Sequence, residues 1–134
     1  MPLRIQRRLT KGWRMPPNTI CVSRPSIWGN PFPISEYGLN LAVRLYKSMF
    51  YGWNPLPLAY LTDAEYRVAY QRQMEWKKRF GDKPIDLATI ILRGHNLCCW
   101  CKLCEVHRDG KPFDTDCCDC EPCHADPLGR MVNA

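Results

Sequence analysis

Apolar positions recur along the chain with helical spacing in some stretches and as short compact runs in others, and the alternation marks out its elements. Between Leu39 and Phe50, Leu41, Ala42, Leu45 and Met49 repeat at helical spacing while Arg44, Lys47 and Ser48 fill the other face, which predicts an amphipathic helix. Gly52-Trp53-Asn54-Pro55-Leu56-Pro57 breaks it, since proline removes a helical donor and clashes with the preceding turn. Thr62-Asp63-Ala64-Glu65 has the spacing of a capping box and predicts a second helix to about Phe80. Tyr66, Ala69, Tyr70, Met74 and Phe80 are assigned to its core side, and Arg67, Arg72, Lys77 and Lys78 to water. After the turn Gly81-Asp82-Lys83-Pro84, periodicity alone does not separate helix from strand over Ile85 to Leu92; we read helix, closed by Gly94 as a C-cap.

Two shorter runs read as strands. Thr19 to Ser23 follows the double proline of Met15-Pro16-Pro17-Asn18 and is short, β-branched and apolar, as a buried central strand would be. Asn96 to Trp100 is the second, and it delivers the first clustered cysteines to its C-terminal end. Asp126-Pro127 offers an N-cap and first-turn pair for a final short helix through Leu128 and Met131. These elements predict an α/β class, a small open sheet with flanking helices. We expect one domain over residues 1–134: a basic N-terminal arm (1–18), an α/β core (19–100), a cysteine-rich insertion resembling a zinc ribbon (101–123) and a C-terminal helix (124–134).

Arg24 to Pro33 holds three prolines, a glycine and an asparagine, so it is a shaped loop at the end of the first strand, where open α/β sheets place their ligand contacts. Arg24, Ser26, Trp28, Gly29, Asn30 and Phe32 are the expected ligand-binding residues. The competing reading is a rigid loop that packs its own aromatics into the core.

Charge adds a direction. The formal net charge is +6, and Arg4, Arg7, Arg8, Lys11 and Arg14 crowd the first fourteen residues. Such an arm suits nucleotide or nucleic-acid contacts. No apolar stretch reaches the length that crosses a bilayer, and the opening residues do not form a signal-peptide core. The expected location is the cytoplasm, the host's if the protein is phage-encoded, with no membrane partner.

Nine cysteines are present, eight of them between Cys98 and Cys123. In such a chain, clustered cysteines favour metal over disulfides. Cys101-x2-Cys104 and Cys120-x2-Cys123 are two pairs fifteen residues apart, the zinc-ribbon spacing, which would supply a tetrahedral set to Zn2+. The expected ligands are Cys101, Cys104, Cys120 and Cys123, with Cys99, Cys117, Cys118, His107 and His124 as alternates; two ions are compatible with this many donors. Cys21, in the run Thr19-Ile20-Cys21-Val22, is expected to be an inert buried thiol.

Four blocks together resemble a known family: Lys11-Gly12-Trp13-Arg14-Met15-Pro16, Ser23-Arg24-Pro25-Ser26-Ile27-Trp28-Gly29-Asn30-Pro31-Phe32, Leu92-Arg93-Gly94 through Leu97-Cys98-Cys99-Trp100-Cys101, and Cys123-His124-Ala125-Asp126. On these the chain resembles DUF4326, a small domain of bacteria and their phages whose function is unknown. The resemblance maps the family pattern onto Arg24, Pro25, Trp28, Gly29, Asn30, Pro31 and Phe32, and onto Cys99, Cys101, Cys123 and His124. Ser23 stands where glycine is usual, and the link from Cys101 to Cys123 is longer and carries Cys104, Cys117, Cys118 and Cys120. It resembles a metal-stapled insertion grafted onto the ordinary core.

Three functions follow as expectations. The first is a nucleotide- or nucleic-acid-directed accessory protein using the arm and the Trp28 loop. The second is an enzyme acting on a nucleotide, base or related small molecule, with Cys99 and His124 as candidate catalytic residues, a lowered cysteine pKa or an open zinc position supplying the chemistry. The third is a module that docks on a host protein through the cysteine-rich knuckle. A zinc deaminase is excluded, because no His-x-Glu occurs.

Overall fold

The segment expected to be a basic arm begins with a strand. In the computed structural model, which describes residues 2–23, 26–30, 32–51 and 62–134, β1 is Leu3–Gln6, buried at Arg4 and Ile5. Four residues of alternating character with an arginine among them carry no distinct strand signal. The arginine is tolerated inside because a carboxylate and three carbonyls receive it, as shown below. The later part of the arm, including Lys11 and Arg14, is exposed.

The remaining strands are β2 (Thr19–Cys21), β3 (Asn96–Cys99) and β4 (Lys111–Pro112), and the sheet order is β2-β3-β1-β4. β3 runs parallel to both neighbours, with Ile5 opposite Cys98 on one side and Cys21 opposite Cys98 on the other. β4 lies antiparallel to β1, Arg4 opposite Lys111. The Thr19 strand is therefore an edge strand of half-buried residues and not the buried centre its sequence suggested. β3 occupies that place, with Leu97, Cys98 and Cys99 buried, because it is paired along both sides. Gly110, just before β4, has φ 143°, a backbone conformation that side-chain-bearing residues rarely adopt, and a Cβ there would also press on the Leu3 side chain of β1.

The chain divides into two compact units, Met1–Gly29 with Leu92–Ala134, and Asn30–Ile91. The first holds the sheet, the cysteine-rich segment and α5 (Ala125–Val132). The second holds α1 (Ile34–Tyr37), α2 (Leu39–Tyr51), α3 (Asp63–Phe80) and most of α4 (Pro84–Leu92). The expected capping box is present: Thr62 Oγ1 accepts from Glu65 N at 3.2 Å, and Glu65 Oε1 accepts from Thr62 N at 3.0 Å. A chain of edge-to-face rings, Tyr46–Phe50–Trp76–Phe80, with centroids 4.7 to 4.9 Å apart, couples α2 to α3. On α3 the buried positions are Ala69 and Gln73, whereas Tyr70, assigned to the core, is 41% exposed. Ile85 to Leu92 is helical, as read, and Gly94 takes φ 79° just beyond it.

α5 begins two residues earlier than expected. His124 is its N-cap and makes no side-chain cap bond, so Asp126 lies inside the first turn and is free for another partner. Among the described residues no helix is long and apolar enough to cross a membrane.

Candidate metal centre

The cysteine-rich segment is held by backbone before any sulfur is considered. Glu121 N donates to Lys102 O at 2.8 Å, and Lys102 N donates to Glu121 Oε2 at 3.0 Å, stitching the two arms of the loop together. Arg4, 1% exposed on β1, extends its guanidinium beneath them. Nη2 donates to the carbonyls of Glu121 (2.6 Å), Cys101 (3.4 Å) and Lys102 (3.4 Å), while Nη1 donates to Asp126 Oδ2 at 2.8 Å. Asp126 Oδ1 receives Lys111 Nζ at 3.1 Å. Burial opposes the Arg4 charge, but Cys123, Asp126 and Cys99 outweigh it and raise its pKa. Sequence reading did not single out Arg4 or Lys111 for this role and gave Asp126 a capping one. The available signal was the Leu3-Arg4-Ile5-Gln6 alternation, which is too short to stand out.

On this frame the sulfurs form two groups. Cys104, His107, Cys117 and Cys120 bring one ligand atom each within 4.8 Å of one another. A turn closed by His107 N to Cys104 O (3.1 Å) folds the imidazole back toward the thiol. Cys104 Sγ lies 3.3 Å from His107 Nδ1 and 3.9 Å from Cys117 Sγ; Cys120 Sγ lies 3.5 Å from the same Nδ1 and receives Cys104 N at 3.3 Å. Donors about 2.0 to 2.3 Å from a tetrahedral ion stand about 3.6 to 3.8 Å from each other, so these residues fit a metal ion with little movement.

The second group is Cys99, Cys101 and Cys123, also within 4.8 Å of one another. Cys99 ends β3 and Cys123 precedes α5; both are buried and their sulfurs are 2.8 Å apart. Hydrogen bonds from Cys123 and Cys99 pull Cys101 down to about 3. Its bond to Cys101 leads the causes that push Cys99 up to about 12, and bonds to Cys101 and Cys99 raise Cys123 well above the usual thiol range. His124 stands beside the group, Nδ1 3.9 Å from Cys123 Sγ and Nε2 2.7 Å from Val22 O.

The quartet read from the two C-x2-C pairs is therefore divided: Cys104 and Cys120 join His107 and Cys117, while Cys101 and Cys123 join Cys99. Cys118 is exposed and in neither group. As the catalytic candidate, Cys99 is 1% exposed with its pKa raised, unlike a poised nucleophile. Cys98 is fully buried and is pushed up to about 11, by burial first and then by Cys21. Cys21 departs from the inert thiol expected. It is half-buried, with Ser23 Oγ at 3.1 Å and Arg7 Nη1 at 3.5 Å; burial opposes ionisation, but bonds from Ser23 and Arg7 outweigh it and lower the pKa.

The candidate ligand loop is largely folded inward. In the first unit, Ser26 N bonds Ser23 O, Gly29 N bonds Ser26 O, and Trp28 N bonds Ser26 Oγ, while Trp28 is 4% exposed. In the second unit, Asn30 Oδ1 accepts from Phe32 N at 2.9 Å, Asn30 Nδ2 donates to Ala42 O at 3.2 Å, and Phe32 meets Tyr37 edge to face. These contacts match the rigid-loop reading for Trp28, Asn30 and Phe32. Ser26 and Gly29 are half-buried. Arg24 lies outside the described residues.

The family model described as Domain of unknown function (DUF4326) matches residues 5–134, essentially the whole chain. No curated protein and no solved structure matches it.

Proposed function

The chain belongs to the DUF4326 family, a membership that carries no activity with it, and we propose from the site itself that the protein is a zinc-binding accessory module whose metal is structural. The observation that carries this is the convergence of Cys104, His107, Cys117 and Cys120. Three thiolates and one imidazole are a donor set that suits zinc, and an iron–sulfur cluster ordinarily takes four thiolates. Four protein donors leave no open position, so the ion supplies folding free energy to a segment with little core of its own. Protein purified under reducing conditions should carry zinc that Cys117→Ser removes from this centre. Zinc content unaffected by Cys104→Ser and Cys117→Ser would overturn the assignment.

A nucleic-acid-directed role is favoured by one surface feature. Arg7, just past β1, stacks its guanidinium 4.9 Å from the ring centroid of Trp100, just past β3, and Trp100 is 42% exposed. A cation beside an accessible indole is the pairing that single-stranded nucleic acids use for phosphate contact and base stacking, and Lys11 and Arg14 add exposed charge to the same unit. Binding of a fluorescently labelled single-stranded oligonucleotide should weaken steeply with salt and fall further in Trp100→Ala. Salt-independent binding, or none, would count against this role.

A further inference from the structure

The three-thiol group at the end of β3 shares no residue with the four-donor centre and has its own surroundings. A carbonyl oxygen only accepts hydrogen bonds, so the 2.7 Å contact to Val22 O places the proton of His124 on Nε2. In the neutral ring this leaves the Nδ1 lone pair, 3.9 Å from Cys123 Sγ. Metal-ligating histidines are held in this way, one nitrogen donating to an outer carbonyl while the other faces the ion.

Charge points the same way. Arg4 and Lys111 have side chains only 1% and 3% exposed, and both are paired with Asp126. Two positive charges against one negative leave a surplus of one in a buried place, where uncompensated charge is strongly unfavourable. Arg4 Nε is buried with no hydrogen-bond partner among the described residues. A divalent cation with three thiolates carries one net negative charge, which matches that surplus.

We propose that Cys99, Cys101, Cys123 and Nδ1 of His124 bind a second zinc ion, with Arg4 and Lys111 as the cations that balance its thiolate-rich complex. Loading it moves the Cys99 and Cys123 sulfurs apart from 2.8 Å toward the ~3.8 Å of a tetrahedral zinc site, and draws in His124, whose Nδ1 is 3.9 Å from Cys123 Sγ but which does not lie within 4.8 Å of all three sulfurs. Arg4 is then a positioning residue: it fixes the carbonyls of Cys101 and Glu121 and so both arms that deliver the ligands.

The test is metal stoichiometry on the full chain under reducing conditions, with cobalt as the spectroscopic probe. About two equivalents of zinc are expected for the parent protein, and about one in each of Cys117→Ser and Cys101→Ser. Cobalt in Cys117→Ser should give tetrahedral visible bands with sulfur-to-metal charge transfer. His124→Ala, added to that variant, should shift those bands and weaken cobalt binding on the order of tenfold or more. One equivalent retained by Cys101→Ser and lost in Cys117→Ser overturns the second site, as does a Cys99–Cys123 disulfide in the reduced protein. The opposite pattern, loss in Cys101→Ser and retention in Cys117→Ser, supports it while removing the first centre. If Cys101→Ser does not fold, Cys117→Ser decides alone: bound zinc supports the site and none overturns it. Cobalt bands unchanged by His124→Ala overturn the four-ligand assignment.

Discussion

Arg4 Nη1 and Asp126 Oδ2 lie 2.8 Å apart, joining the second residue of β1 to the first turn of α5 across 122 residues of sequence. The same carboxylate holds Lys111 of β4, so one aspartate ties two antiparallel strands to the final helix. Asp126→Asn keeps the shape and removes the charge. It should destabilise the protein by about 3 kcal/mol or more, because it leaves buried cations uncompensated. Asp116→Asn, at the 96% exposed end of the Arg130 pair, should change stability by less than about 0.5 kcal/mol. Denaturant unfolding of the two variants side by side measures the difference, and equal effects would contradict the buried clamp.

Gly129 of α5 sits against the face of Phe113, so close that an added Cβ would fall 2.3 Å from ring carbons. Gly129→Ala should therefore cost stability, about 1–3 kcal/mol as an overpacked contact, despite alanine's better helix propensity. Combining it with Phe113→Leu should recover part of the loss. Thermal melts of the three variants give the coupling, and a stabilising Gly129→Ala would refute the contact.

Trp28 is 4% exposed. Trp28→Ala should lower stability by about 3–5 kcal/mol, as for other buried aromatics, and the melting temperature by roughly 10 °C or more. A melting temperature within a degree or two of the parent would return Trp28 to the ligand-binding role that its loop first suggested.

Removing metal should open the cysteine-rich segment before the rest of the chain. Phe113, 6% exposed and packed on Gly129 of α5, is a good reporter, since chymotrypsin cuts after it only when the segment that follows β4 leaves α5. Chelation under reducing conditions should speed cleavage after Phe113 by about tenfold or more, as for a locally unfolding unit. Equal rates with and without chelator would show that metal does not hold this segment in place.

Local signals were legible and long-range ones were not. The Thr62–Glu65 capping box, the apolar spacing of α2 and the helix over Ile85 to Leu92 are each written within a few residues, and each is present. β1 was hidden because its strand character depends on β3, some ninety positions away, and its arginine is acceptable only beside Asp126. The cysteines were legible as a metal-binding cluster but not in their grouping. Spacing says that Cys101 and Cys104 can converge; it does not say that Cys101 is kept beside Cys99 at the strand end while Cys104 turns toward His107. The Trp28 and Asn30 loop shows the same limit, since proline and glycine content predicts a shaped loop without telling which way its side chains face.

The place of β1 inside the sheet has a consequence for how the protein is made. Leu3 N bonds Asn96 Oδ1 across a separation of 93 residues, and Ile5 faces Cys98. β1 therefore has neither of its sheet neighbours to pair with until some ninety further residues have been translated, some seconds later at ordinary elongation rates. During that wait the Asn30–Ile91 unit, whose contacts are local, is complete. The helical unit can form as the chain emerges, while the sheet and its arginine clamp assemble only once β3 and Asp126 have been made, which makes their formation the slower event.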